Sequence, residues 1–120
     1  MAILSVEINE EKLRTAQVDP SAAKDIQAAG AKEVRAFWRI AESAGGHADQ
    51  LQNMKAQHSD NGIDWTDVPG GAFTQVTQGA TFPKEQILTI YPVRKWLRWT
   101  QTTTATTLSS TWGLEVTYIS

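Results

Sequence analysis

The patterning of this chain predicts an all-β protein, an antiparallel β-sandwich of jelly-roll type with roughly seven to nine strands in a single domain. Apolar and polar side chains alternate over short stretches, as the period-two geometry of a half-buried strand requires. Turn residues punctuate those stretches, most clearly at Asp19-Pro20-Ser21, Asn61-Gly62 and Pro69-Gly70-Gly71. The C-terminal stretch holds the cleanest alternation, with Trp112, Leu114, Val116 and Tyr118 on one side and Thr111, Gly113, Glu115 and Thr117 on the other.

At 120 residues the chain can bury most of its apolar surface around one core, so no second domain is required. A formal net charge of −2 and a pI near 5.6 give no reason to expect the clustered basic face that phosphate recognition needs. Nucleic acid is therefore not an expected partner. Without a cysteine there can be neither a disulfide framework nor a thiolate metal site. The N-terminal apolar run is too short for a signal peptide and lacks a basic lead, and no stretch reaches the roughly 18 apolar residues that cross a bilayer. The expectation is a soluble protein made in a cytosol, with no membrane partner.

Residues 1–8 alternate, with Leu4, Val6 and Ile8 on one side and Ser5 and Glu7 on the other, so a half-buried strand is expected there. The polar run 9–12 should break it. Residues 13–18 read as a second short strand or the end of an extended arm, closed by the turn at 19–21. The chain thus divides into an N-terminal strand or arm over 1–18 and a sandwich over 19–120. Residues 21–44 admit two readings. Ile26, Gly30, Val34, Phe37, Trp38 and Ala41 fall near a helical stripe among alanines, which makes an α+β fold with one helix the competitor. Yet 32–42 also alternates, with Val34, Ala36, Trp38 and Ile40 facing Glu33, Arg35 and Arg39 across the backbone. Gly30 in mid-helix would cost about 1 kcal/mol relative to alanine, and Gly45-Gly46 ends the segment abruptly, so a strand is favoured.

Residues 45–50 read as a loop, and 51–58 lead into a hairpin over 54–68 turned by Asn61-Gly62. A type I′ turn needs positive φ at both central residues, which Asn and Gly adopt at low cost. With a two-residue loop His58 lies across from Trp65, sharing a face with Met54, Ala56 and Ile63, while Gln57, Asp64 and Thr66 take the other. A three-residue loop with Gly62 left-handed shifts that pairing by one. Val68-Pro69-Gly70-Gly71 should close the hairpin, since proline cannot donate to a ladder. A short strand follows over 72–77, then a loop over 78–84, then strand-forming residues from Gln86 to Val93 with Pro92 marking a bend or an edge. In the strand over 95–101, Leu97 and Trp99 point one way and Arg94, Trp96 and Arg98 the other. The threonine-rich run 102–110 reads as a loop before the last strand.

No catalytic set is assembled in the sequence. His47 and His58 lack a second histidine at ligand spacing, and no G-x-S-x-G elbow exposes a nucleophile. Gly70-Gly71 is not followed by the lysine and hydroxyl residue of a phosphate loop. Ser59-Asp60-Asn61-Gly62 starts like a calcium loop, but no glutamate stands at its twelfth position, so it reads as a turn. No catalytic, metal-binding or cofactor-binding residue is expected, and no cofactor.

The five tryptophans carry more content. Trp38, Trp65, Trp99 and Trp112 sit on the apolar sides of their stretches and are expected in the core. Trp96 shares a face with Arg94 and Arg98, a combination enriched at protein interfaces. The other reading is that the arginines stack over a partly exposed ring as surface cover.

This order of pieces resembles the small β-sandwich virion proteins of tailed bacteriophages, of the capsid decoration or cement type. The resemblance runs from residue 24 to the C-terminus. It is carried by Gln57-His58-Ser59-Asp60-Asn61-Gly62-Ile63-Asp64-Trp65-Thr66-Asp67-Val68, a short strand ending in Thr77, Arg94-Lys95-Trp96-Leu97-Arg98-Trp99, a Thr/Ser-rich loop and the last alternating strand. The alanine-rich stretch before Trp38 departs from the pattern. The resemblance implies a strand over 32–42 and makes 1–18 a candidate arm. It further implies a non-enzymatic virion structural protein on the capsid surface, made in the host cytoplasm, that binds and bridges the major capsid protein. It would act as a homo-oligomer, with a trimer about a local symmetry axis as one form. Arg94, Trp96 and Arg98 would make the contact, and Leu4, Val6 and Ile8 would act from an arm donated to a neighbouring sheet edge. The alternatives are a tail or neck component and a carbohydrate-binding sandwich in which Trp96 stacks on a sugar ring.

Overall fold

In the computed structural model, which describes residues 2–14, 18–44, 51–77, 81–103 and 109–120, nearly every element is a strand. One sheet has the order β1-β10-β4-β8, formed by β1 (Ile3–Arg14), β10 (Ser109–Ile119), β4 (Glu33–Ala44) and β8 (Lys84–Ile90). The other has the order β2-β9-β5-β6, formed by β2 (Val18–Pro20), β9 (Trp96–Thr103), β5 (Leu51–Ser59) and β6 (Thr66–Ala72), with β3 (Lys24–Asp25) on β9 and β7 (Val76–Thr77) on β5. All described pairings are antiparallel. The all-β sandwich expected from the patterning is therefore the fold.

The core lies between the sheets, where Trp38, Trp99, Trp112, Val34, Leu114 and Tyr118 are buried. Phe73 stands between Trp38 and Trp99, with ring centroids 5.5 and 5.9 Å away in tilted contacts. Among the described residues the indole N–H groups of Trp38, Trp99 and Trp112 meet no acceptor, and these rings stabilise by packing and apolar burial.

The ambiguous stretch 21–44 divides between the two readings, and the strand takes most of it. Asp25 accepts a hydrogen bond from Ala28 N at 2.9 Å and starts a four-residue helix, α1 (Ile26–Ala29). Gly30 ends it at φ 76°, a left-handed conformation that favours glycine. With its helix stopped there, the chain enters β4, and Val34, Ala36, Trp38 and Ile40 turn into the core as the alternation requires.

Four expectations are corrected. The 54–68 hairpin does not turn at two residues: His58 pairs with Thr66, the one-residue shift of the alternative with Gly62 left-handed, but the loop is longer than three residues and spans 60–65. Side chains build that loop. Ser59 Oγ accepts from the amides of Asn61 and Gly62 at 3.2 and 2.9 Å, and Asn61 Oδ1 accepts from those of Ile63 and Asp64 at 2.8 and 2.9 Å. Gly62 has positive φ but Asn61 does not, so a type I′ turn is absent. In this loop Ile63 is exposed rather than facing Met54, and Trp65 is half-exposed rather than core.

Second, Val68-Pro69-Gly70-Gly71 does not end the strand. One residue of β5, Ala56, separates the pairs Gln57–Asp67 and Lys55–Ala72, while four residues of β6 do, so the segment bulges within β6. Third, the polar run 9–12 does not end the first strand; it appears as a register shift between Asn9 and Lys12 inside a twelve-residue β1. Fourth, the apolar side of that strand faces outward. Glu7 and Asn9 pair with Val116 and Leu114 on the core side, so Val6 and Ile8, paired with Thr117 and Glu115, lie on the outer face. The second strand or arm read over 13–18 is split between the end of β1 and the start of β2, and 15–17, 45–50 with His47, and 104–108 lie outside the described residues.

Candidate interaction surface

Two regions hold the residues singled out in the sequence. At one end of the β9 sheet, Trp96 opens β9 half-buried, and a Cβ at Gly62 would stand 3.6 Å from its Cε2 and Nε1 atoms. The 60–65 loop thus packs on the indole. Lys95 Nζ lies 5.5 Å from the same ring centroid. Arg94, just before β9, pairs with Asp60 at 3.3 Å. Arg98 stacks its guanidinium 4.4 Å over Trp65, not over Trp96, and donates to Gln57 Oε1 at 3.0 Å. The three residues are neighbours, but the arginines do not flank one indole; each is engaged within the chain. A cleft of about 340 Å³ opens beside them between α1 and residues 92–95, with Asp60 and Arg94 among its walls. Behind it His58 is buried with Nδ1 unpartnered among the described residues, and burial, followed by the charge of Arg94, pushes its pKa below the ordinary value against the opposing pull of Asp60.

The second region is the outer face of the β1-β10-β4-β8 sheet. Cross-strand partners share a face, so the register sets Ile8, Glu115, Phe37 and Ile87 in one row and Val6, Thr117, Arg35 and Thr89 in the next. Val6, Ile8 and Ile87 are 49%, 68% and 76% exposed. On the far side of the apolar row, Arg39 bridges Glu11 at 2.6 Å and Glu85 at 3.4 Å, which holds its guanidinium charged. Gly113 makes that closure possible, since a Cβ there would fall 2.9 Å from Glu11 N and 3.1 Å from Glu11 Cα. A hollow of about 210 Å³ lies between Ile8, Phe37, Arg39, Glu11, Gly113 and Glu115. The structure therefore brings Leu4, Val6 and Ile8 to a surface that also includes Phe37 and Ile87. Sequence reasoning missed those two. The signal for Phe37 was its position opposite Trp38 and Ala36 in the alternation; Ile87 was hidden in a run of apolar residues.

Among the described residues no group of three His, Cys, Asp or Glu side chains could hold a metal ion, and no helix is long and apolar enough to cross a membrane. No protein-family model matches the sequence, and no curated protein matches it. Among solved structures the chain is similar to the PBSX exported protein XepA, with a TM-score of 0.69 at 15% identity over 95% of this chain and 36% of that one. It thus spans about a third of that protein's length, and the likeness is one of fold. Weaker likenesses are to dimeric latent PorU from Porphyromonas gingivalis, with a TM-score of 0.49 at 12% identity over 98% of this chain and 13% of that one. Another is to the carbohydrate-binding module CBM6cm-2 of Cellvibrio mixtus lichenase 5A, with a TM-score of 0.42 at 10% identity over 99% of this chain and all of that one.

Proposed function

We propose that this is a non-enzymatic virion structural protein, a capsid decoration or cement module that binds the assembled head of a bacteriophage. The observation that carries this reading is the outer face of the β1-β10-β4-β8 sheet, where exposed Val6, Ile8 and Ile87 and half-buried Phe37 gather around Glu115, beside the Glu11–Arg39–Glu85 charges. Several large apolar side chains exposed on one face mark a protein contact. The motif resemblance to virion sandwiches supports the same class, and a fold shared with XepA is compatible with it. The major capsid protein is the partner in this reading. Many equivalent weak contacts on one shell add up to firm attachment. Arg94, Trp96 and Arg98 take a lesser part, because contacts within the chain already occupy them.

Co-sedimentation with emptied phage heads tests this. The protein should pellet with the heads, and Ile87→Lys, exposed and away from the core, should abolish pelleting without loss of fold. Absence of pelleting, or pelleting untouched by Ile87→Lys but lost with Trp96→Ala, would overturn the assignment of this face. A glycan screen with the same Trp96→Ala variant separates the carbohydrate-binding alternative, and electron microscopy of labelled particles separates head from neck and tail.

A further inference from the structure

The two edges of the β1-β10-β4-β8 sheet are finished differently. At β8, Gln86 closes the side of the sandwich through two hydrogen bonds with the Thr74 backbone, each 2.9 Å. At β1, β10 is the one described neighbour. The outward edge of β1 is irregular at both ends, with register shifts between Ile3 and Ser5 and between Asn9 and Lys12, and Glu7 turns toward the core side between them. From Ser5 to Asn9 its register is regular, and the stretch contains neither proline nor lysine. On its outer face it presents Leu4, Val6 and Ile8, all exposed.

We propose that a second copy of this chain pairs with that edge, antiparallel about a two-fold axis through Val6, and joins two four-stranded sheets into one. The choice of axis follows from side-chain chemistry. Directly opposed residues share a face, so in a two-fold pair the axis passes through a residue and not between two. An axis through Glu7 sets two carboxylates against each other, and one through Ser5 sets Ile3 against Glu7 of the other copy. The axis through Val6 sets Val6 against itself on the outer face, with Leu4, at the register shift, toward Ile8 of the other copy. On the core side it sets the Ser5 hydroxyl against the Glu7 carboxylate, twice. This register has no like-charge opposition and leaves the outer face open. Pairing at this edge goes beyond the particle-binding reading and stands without it.

The chain contains no cysteine, so a single introduced one reports on the axis. Sedimentation equilibrium should give twice the 13.2 kDa chain mass. Val6→Cys should convert to a disulfide-linked dimer under mild oxidation, because opposed residues bring their Cβ atoms within bonding range. Ile63→Cys, at a site 78% exposed but on a loop away from the edge, should not. Val6→Lys should sediment as a single chain with its β circular dichroism retained. A single-chain mass for the unmodified protein at every concentration would overturn the proposal. So would cross-linking at Val6→Cys no faster than at Ile63→Cys, or an oligomer indifferent to Val6→Lys. None of these results bears on co-sedimentation with phage heads, so the two proposals fail separately.

Discussion

His58 sits on the core side of β5 with Met54 and Ala56, and its Nδ1 has no partner among the described residues. Burial lowers its pKa below the ordinary 6.5, the charge of Arg94 acts in the same direction, and Asp60 opposes them. The folded state thus holds this proton less readily than the unfolded chain. Its contribution to stability is complete above pH 6.5 and is lost as the pH falls below that value. We expect the urea midpoint to decline with acidification from 6.5 downward, and His58→Gln to flatten the decline. A profile that is equally steep in the variant would place the acid sensitivity elsewhere. The tryptophans show how far single residues could be read. Trp38, Trp99 and Trp112 lie in true strands, so alternation located them in the core. Trp65 lies in the loop built by Ser59 and Asn61, where no alternation applies, and it ends up under Arg98 at the surface.

Among the elements, β1 and β10 depend on each other through one missing side chain. The β1 bulge brings the Glu11 backbone to 2.9 Å from where a Cβ of Gly113 would stand, and Glu11 then reaches Arg39. Gly113→Ala forces β1 away from β10. The expected loss is about 1–3 kcal/mol, the usual cost of an extra methyl where backbone cannot yield. Thermal unfolding measures it, and a variant as stable as the parent would mean that β1 is held less closely than described. The other elements divide by how local their cause is. Strand rather than helix over β4 was readable, because its alternation is long and Gly30 is adjacent. The six-residue loop after β5 was not, since Asn61-Gly62 also fits a tighter turn and side-chain hydrogen bonds from Ser59 and Asn61 decided the outcome.

Taken as a whole, the molecule is built from contacts between distant parts of the chain. Ile3 pairs with Ile119, Val34 with Tyr118, and His58 with Leu97. Loop-closure entropy must be spent before such pairs stabilise anything, so folding is expected on the roughly millisecond-to-second scale typical of β-sandwiches. Stopped-flow tryptophan fluorescence would measure this, and folding within microseconds would contradict the topology. The same dependence on distant partners marks the limit of what patterning conveys. Alternation specifies which side chains travel together on one side of a strand, and that was enough for an all-β sandwich with three of its indoles in the core. It does not say which side turns inward. For β10 and β4 the apolar side had nowhere else to go. For β1 the register against β10, at the opposite end of the chain, placed Glu7 and Asn9 toward the interior and left Leu4, Val6 and Ile8 facing out. A period of two is unchanged when the faces are exchanged, and only pairing with a neighbouring strand removes that symmetry.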